Sequence, residues 1–275
     1  VDGVEHPFQI HIPQAASEDA ALIVQLHGGG STGAAMDAVT QLTTLAAEEG
    51  FVVITPEGYP IPGLGSQIWN GGGCCGPPAL AKPDHVRAID AILDRVLELG
   101  ACVDEARMFA TGHSNGAIMA YRLACELADR IAAVAISAGS LADETESGET
   151  IFACEPSQPV SVLQVHGLQD ACLPYEGGQV ASSANHVRSV ESSIDLWRDI
   201  NGCDAGTDTR TGEVRRRTWS CTRGTAMELI TVDSLGHPWA GSPIYGNPAR
   251  CGGSTTMAVS TTEELWRFFE AHSRR

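Results

Sequence analysis

A chain of 275 residues with 43% hydrophobic content can bury a large core, and it contains no apolar run near the roughly 18–20 residues that a membrane span requires. Acidic residues outnumber basic ones 34 to 17, giving a formal charge of −17 with Lys82 as the only lysine. Such a surface repels phosphate backbones and anionic lipid, so neither nucleic acid nor a membrane is expected as a partner. No linker or composition break divides the sequence, which predicts one domain over residues 1–275.

In chain order, Phe8 to Ile12 alternates like a strand, and Ala21 to Leu26 is an apolar run that ends at His27-Gly28-Gly29-Gly30. Met36, Val39, Leu42, Leu45 and Ala46 predict one helix from Ala34 to Glu49, ended by Gly50 and followed by a strand from Phe51 to Thr55. Residues 56 to 82 read as a loop rich in Gly and Pro that holds Trp69 and the adjacent Cys74 and Cys75. Pro83 fits the first turn of a helix whose Val86, Ile89, Leu93, Val96 and Leu97 form one stripe. The apolar run after Arg107 feeds Gly112-His113-Ser114-Asn115-Gly116, and a helix follows over 116 to 128 with Ile118, Met119, Leu123 and Leu127 at helical spacing.

Further strands are expected at Ile131 to Ser137 and Val160 to Val165. A helix between about residues 181 and 200 carries Val187, Val190, Ile194 and Trp197. Strands at Val214 to Ser220 and Met227 to Val232 come next, and Glu263 to His272 closes the chain as a helix. This alternation predicts a three-layer α/β fold, a mostly parallel sheet with helices on both faces. Arg215, Arg216 and Arg217 alternate with Val214 and Trp219 as a solvated strand face would, which argues against a polyanion site.

The pentapeptide at 112–116 lies between a strand and a helix, the context of a nucleophile elbow. Its glycines free a sharp corner on which the Ser114 hydroxyl stands exposed. A serine hydroxyl needs a base, itself oriented by an acid. In elbow-type enzymes the partners follow in the order Ser, Asp, His. Asp170 lies just beyond a strand end, where open α/β sheets build their sites. Asp143, Asp195, Asp199 and Asp233 are less well placed. His237 falls in the flexible segment Ser234-Leu235-Gly236-His237-Pro238-Trp239, late in the chain, and is the preferred base. His166 reads as a hydrogen-bonded scaffold residue, His27 as a brace for its own glycine loop, and His113 as locked in the elbow pointing away from its neighbour. Oxyanion donors are expected from the amide of Asn115 and from the glycine run, with Gly29 favoured and Gly30 competing. The run lacks the Lys-Ser/Thr pair of a phosphate-binding loop.

Nine cysteines fit an oxidising compartment, and an odd count leaves at least one unpaired within the chain. No metal-ligand spacing is evident. The start at Val1, without Met or a signal segment, suits a processed secreted protein. Cys203 with Cys221 and Cys172 with Cys251 are the first two pairings to expect, although spacing alone leaves connectivity open.

With these residues assembled, the chain resembles the α/β-hydrolases of the secreted feruloyl-esterase and polyhydroxyalkanoate-depolymerase-like branch, from about residue 5 onward. The resemblance rests on Leu26-His27-Gly28-Gly29-Gly30, Cys74-Cys75-Gly76, and Val103-Asp104-Glu105-Ala106-Arg107 leading into Gly112-His113-Ser114-Asn115-Gly116-Ala117. It extends to Val165-His166-Gly167 with Asp170, Pro174-Tyr175-Glu176-Gly177-Gly178, and Gly236-His237 with Trp239. It implies Ser114 as nucleophile, His237 as base, Asp170 as its orienter, carboxylic esters as substrates and no cofactor. Trp69 and Trp239 are candidates to line an acyl or aromatic pocket, against the simpler reading that each packs a loop. Relatives often carry Thr-Trp-Pro-Gly after the histidine where this chain has Pro238-Trp239-Ala240-Gly241, which is expected to move Trp239. No polymer-binding module accompanies the sequence, which argues against processive action on an insoluble polymer. The expected protein is a monomeric serine esterase. A polyester depolymerase, a peptidase or acyltransferase with the same triad, and a non-catalytic binding module are the rival readings.

Overall fold

A computed structural model describes residues 5–61, 63, 66–75, 82–180, 186–244, 251 and 253–274. The main sheet has nine strands: β1 (Phe8–His11), β2 (Ala20–Leu26), β3 (Val52–Pro56), β6 (Val103–His113), β7 (Ala133–Ser137), β8 (Ser161–Gly167), β11 (Thr207–Thr211), β12 (Val214–Ser220) and β13 (Ala226–Val232). Their spatial order is β1-β3-β2-β6-β7-β8-β13-β12-β11. The run from β3 to β13 is parallel, while β1, β12 and β11 join antiparallel at the two edges.

Alternate residues of a strand point to opposite faces, and both faces of this sheet are apolar. On one side Leu22, Val24, Ala110, Val134 and Val162 meet α3 (His85–Glu98), α4 (Asn115–Glu126) and α5 (Val190–Asn201). On the other, Ile23, Val53, Phe109, Ala135 and Leu163 meet α1 (Gly33–Thr40), α2 (Leu42–Glu49) and α6 (Thr261–Glu270). Phe109 and Phe269 stack there with ring centroids 4.5 Å apart. This is the three-layer α/β arrangement, and a mostly parallel sheet buried on both faces explains why its strands read as continuous apolar runs.

The structure departs from the sequence reading in five places. The helix expected over 34–49 is two helices, because Gln41 takes a left-handed conformation (φ 54°). Thr40 is drawn into tertiary bonds at this break: its hydroxyl donates to Gln25 Oε1 at 2.6 Å, and its carbonyl accepts from Thr262 Oγ1 at 2.7 Å. The loop expected over 56–82 contains a short antiparallel hairpin, β4 (Tyr59–Ile61) and β5 (Ser66–Ile68), whose strands are too brief to leave a periodic signal. Pro83 precedes α3 instead of entering its first turn, since Asp84 is the N-cap and accepts from the Arg87 amide at 3.0 Å. The helix expected from about 181 begins at Val190, capped by Ser189; His186–Val187 is β10, paired with β9 (Gly178–Gln179), and 181–185 lie outside the described residues. Finally, β11 is exposed throughout, and an all-polar edge strand carries no hydrophobic alternation to find.

Each arginine of the basic cluster on β12 is paired with carboxylates: Arg215 with Asp208 at 2.6 Å, Arg216 with Glu228 and Glu264, and Arg217 with Glu191 at 2.6 Å. Four disulfides are present, Cys74–Cys75, Cys125–Cys154, Cys172–Cys251 and Cys203–Cys221, and Cys102 is a free, exposed thiol. Both pairings expected from the sequence are among them. No helix among the described residues is long and apolar enough to cross a membrane.

Candidate active site

Ser114 occupies a corner between β6 and α4 with φ 57° and ψ −122°, outside the comfortable regions for an L-residue. The corner is over-determined by backbone bonds. The Ser114 amide donates to Ser137 O at 3.0 Å, and Ser114 O accepts from the amides of Ala117 and Ile118 at 2.9 and 3.1 Å. A Cβ at Gly112 would collide with the backbone of Gly116, and one at Gly116 with the carbonyls of Leu26 and His27, so the turn can be this tight only with glycine at both positions.

Asp170 follows the end of β8, two strands along the sheet from β6. Its side chain is fully covered. Oδ1 accepts from the amides of Cys172 and Leu173, both at 2.9 Å, and Oδ2 lies 2.7 Å from Nδ1 of His237. Burial pushes the carboxyl pKa up, but the hydrogen bond and charge of His237, with contributions from His166 and the Leu173 amide, outweigh it and leave it below its ordinary value. An ionised carboxylate only accepts, so in the neutral imidazole of His237 the proton sits on Nδ1 and the lone pair on Nε2.

The loops that carry Asp170 and His237 are fastened to each other. The Gln169 amide donates to Leu235 O at 2.9 Å, the Gly236 amide to Ser254 O at 2.9 Å, the Ala171 amide to Cys251 O at 2.9 Å, and Cys172–Cys251 bridges across. Ser114 belongs to the same rim through its neighbour. The ring of His113 lies 4.9 Å from that of His237 and 6.1 Å from that of Trp239, so it packs against the His237 imidazole, a contact the elbow motif alone did not indicate. His166 Nε2 sits 2.9 Å from Leu173 O, the scaffold role anticipated for it.

At the glycine run, the Gly30 amide is committed to Gln67 O at 2.8 Å, and Gly29 lies against Asn115, whose Cβ a side chain on Gly29 would approach to 3.3 Å. Asn115 heads α4, where a first-turn amide has no partner within the helix. His27 braces this segment: Nδ1–H donates to Gly28 O at 2.9 Å and Nε2 accepts from the Gly58 amide at 3.2 Å.

The two tryptophans expected at an acyl pocket are packed instead. Trp239 is 2% exposed, and its Nε1 donates to Thr262 Oγ1 at 3.0 Å. Trp69 is 1% exposed and acts as a strut. Its amide donates to Asn115 Oδ1 at 2.7 Å, its carbonyl accepts from Asn115 Nδ2 at 3.1 Å, and its indole N–H donates to His27 O at 2.9 Å. One residue therefore ties the glycine run to the head of α4. Bonds spanning 42 and 46 positions leave no local pattern, so sequence reasoning found Trp69 but not this task.

Burial lowers the pKa of His27, His85, His113, His166 and His272, to about 4 for His85 and about 3 for His113 against 6.5 for a free imidazole. Below pH 6.5 the unfolded chain then binds more protons than the folded one, so stability falls as pH drops through that window. The melting temperature is expected to decline steadily between about pH 6.5 and 4. A thermal-shift series checks this, and a level or rising profile would contradict neutral buried imidazoles.

Comparison with known proteins agrees with this geometry. A phospholipase/carboxylesterase family model matches residues 82–194, which hold Ser114 and Asp170. The chain is 39% identical to feruloyl esterase C of Emericella nidulans over 188 residues, covering 68% of this chain and 58% of the relative. It is 29% identical to feruloyl esterase B of Piromyces equi over 229 residues, covering 79% of this chain and 39% of the relative. The acetyl xylan esterase from Aspergillus awamori superposes with a TM-score of 0.65 at 15% identity, covering 96% of this chain and 94% of that one. The chain is thus similar to the feruloyl-esterase-like α/β-hydrolases in sequence and shares their fold. It spans between about a third and somewhat over half the length of the curated relatives it matches first. Within the hydrolase fold, the residues gathered at the rim are those at the carboxyl ends of β6, β8 and β13.

Proposed function

We propose that the chain is a serine carboxylic-ester hydrolase in which Ser114, His237 and Asp170 act in sequence. The observation that carries this reading is the 2.7 Å bond from His237 Nδ1–H to the buried Asp170 carboxylate, in a protein whose strand-to-helix corner at residues 112–116 holds Ser114 in a strained conformation beside the same ring cluster. Nε2 of His237 takes the hydroxyl proton as Ser114 Oγ attacks the ester carbonyl. The amides of Asn115 and Gly29 bind the oxyanion, and His237 returns the proton to the departing alcohol. Water, deprotonated by the same nitrogen, then releases the acid and regenerates Ser114. Every step is served by groups of the chain, and none calls on a cofactor.

Feruloyl or acetyl esters of plant polysaccharide are the proposed substrates, supported by the names of the relatives, a feruloyl esterase and a bifunctional acetylxylan esterase/xylanase among them. Secretion is part of the same proposal, supported by four disulfides; so is action as a single-domain monomer. Kinetics run side by side on methyl ferulate, acetylated xylan, polyhydroxybutyrate oligomers and short p-nitrophenyl esters test it. Turnover of the first two above the polyester is the expected result. Preference for the oligomers would make this a polyester depolymerase, and no turnover of any ester would overturn the reading.

Trp69→Phe removes the indole N–H while keeping the backbone pair with Asn115, so the two oxyanion amides lose one tie between them. The expected outcome is a fall in kcat of about tenfold with KM little changed, since an oxyanion contact acts mainly in the transition state. A change confined to KM would contradict this role.

A further inference from the structure

The bridge Cys172–Cys251 does more than tie two loops. One ligand atom each from Cys172, Cys251 and His237 lie within 4.8 Å of one another, and all three residues are partly open to solvent. As a disulfide the sulfurs are poor metal donors. As thiolates beside an imidazole they form the donor set that soft, tetrahedral cations prefer, with a fourth position left for water. The sulfur separation in such a site is about 3.8 Å, from a metal–sulfur distance of about 2.3 Å. The present spread of the three ligand atoms is compatible with that sphere once the sulfurs part.

We propose that reduction of Cys172–Cys251 converts this corner into a zinc- or cadmium-binding site built on the catalytic base, so that the reduced enzyme is reversibly inhibited by soft divalent cations while the oxidised enzyme is not. An external dithiol supplies the electrons: thiol–disulfide exchange breaks the Sγ–Sγ bond, leaves a thiol on each cysteine, and oxidises the dithiol to its own disulfide. The cation then displaces one proton from each thiol as it binds. Inhibition follows whichever ring nitrogen is used. Coordination at Nε2 removes the base, and coordination at Nδ1 displaces the Asp170 bond that orients it. The inhibition rests on the proposed role of His237; the metal site does not.

The other bridges offer no equivalent. Cys74 and Cys125 are buried, and among the described residues no further group of three such side chains was found within this reach.

The experiment reduces the full chain with a trialkylphosphine, which ends as its oxide, removes the reagent without oxygen, and titrates with Cd²⁺ while following thiolate-to-cadmium absorption. Ester turnover is followed in parallel with Zn²⁺. The expected result is a saturable absorption in reduced protein only, lost in C172S/C251S and weakened in His237→Ala, together with loss of turnover on adding Zn²⁺ and its return with a chelator. Because His237→Ala keeps both thiols and the native bridge during folding, it remains informative if the double serine variant does not fold. Equal cadmium absorption in C172S/C251S, or undiminished turnover of the reduced enzyme in Zn²⁺, would overturn the proposal. Cadmium binding at these residues in a protein that hydrolyses no ester in any state would uphold the metal site and reject the catalytic reading instead.

Discussion

Ser114→Ala is expected to fold as the parent does and to hydrolyse p-nitrophenyl acetate on the order of 10⁴- to 10⁶-fold more slowly. The fold is expected to survive because the elbow is held by main-chain bonds, from the Ser114 amide to Ser137 O and from two α4 amides to Ser114 O, none of which uses the hydroxyl. Alanine also keeps the Cβ that serine already carries at φ 57°, so the substitution adds no backbone strain. What disappears is the only atom that can form the acyl bond, while the amides of Asn115 and Gly29 remain to support a residual rate through water. An unchanged melting temperature with a collapsed kcat identifies a nucleophile. A variant within about tenfold of the parent would show that the hydroxyl is not one.

Asp170→Asn separates orientation from charge and is expected to lower kcat by roughly 10⁴-fold. Asparagine can keep Oδ1 toward the amides of Cys172 and Leu173, which fixes its other atom, now Nδ2, toward His237. Two N–H groups would then meet where Nδ1–H and Oδ2 stand 2.7 Å apart. The imidazole relieves this by moving its proton to Nε2, the nitrogen that must be bare to deprotonate Ser114. The loss should fall on kcat with KM close to the parent value, because the ester touches neither atom. If kcat is retained, Asp170 is a loop fastener and His237 takes its orientation from elsewhere.

The parallel strands were legible because a strand buried on both faces must be a run of apolar residues, as Ala21 to Leu26 and Val160 to Val165 are. The break at Gln41 was not, because it depends on Thr40 meeting Gln25 and Thr262, residues 15 and 222 positions away. The edge strand β11 was invisible for the opposite reason: a strand with no buried face has no pattern to show. At the site, the elbow could be read from its glycines and Asp170 from its place after a strand end. The company they keep could not. The contact of His113 with the His237 ring, the strut made by Trp69, and the withdrawal of the Gly30 amide by Gln67 are tertiary facts set by how the β4–β5 hairpin and the late loops fold back over the sheet. The tryptophans mark the limit most clearly. Their chemistry suited a pocket wall, but burying so large an apolar ring under the loops is worth more to the fold than exposing it to a ligand.

The most direct test of the whole mechanism is to label the protein with a fluorophosphonate and map the adduct by peptide mass spectrometry, in the parent and in Asp170→Asn. A single adduct on Ser114, formed with loss of ester turnover and much more slowly when Asp170 is replaced, is the predicted result. Label on another residue, or full turnover by protein whose Ser114 is blocked, would contradict it.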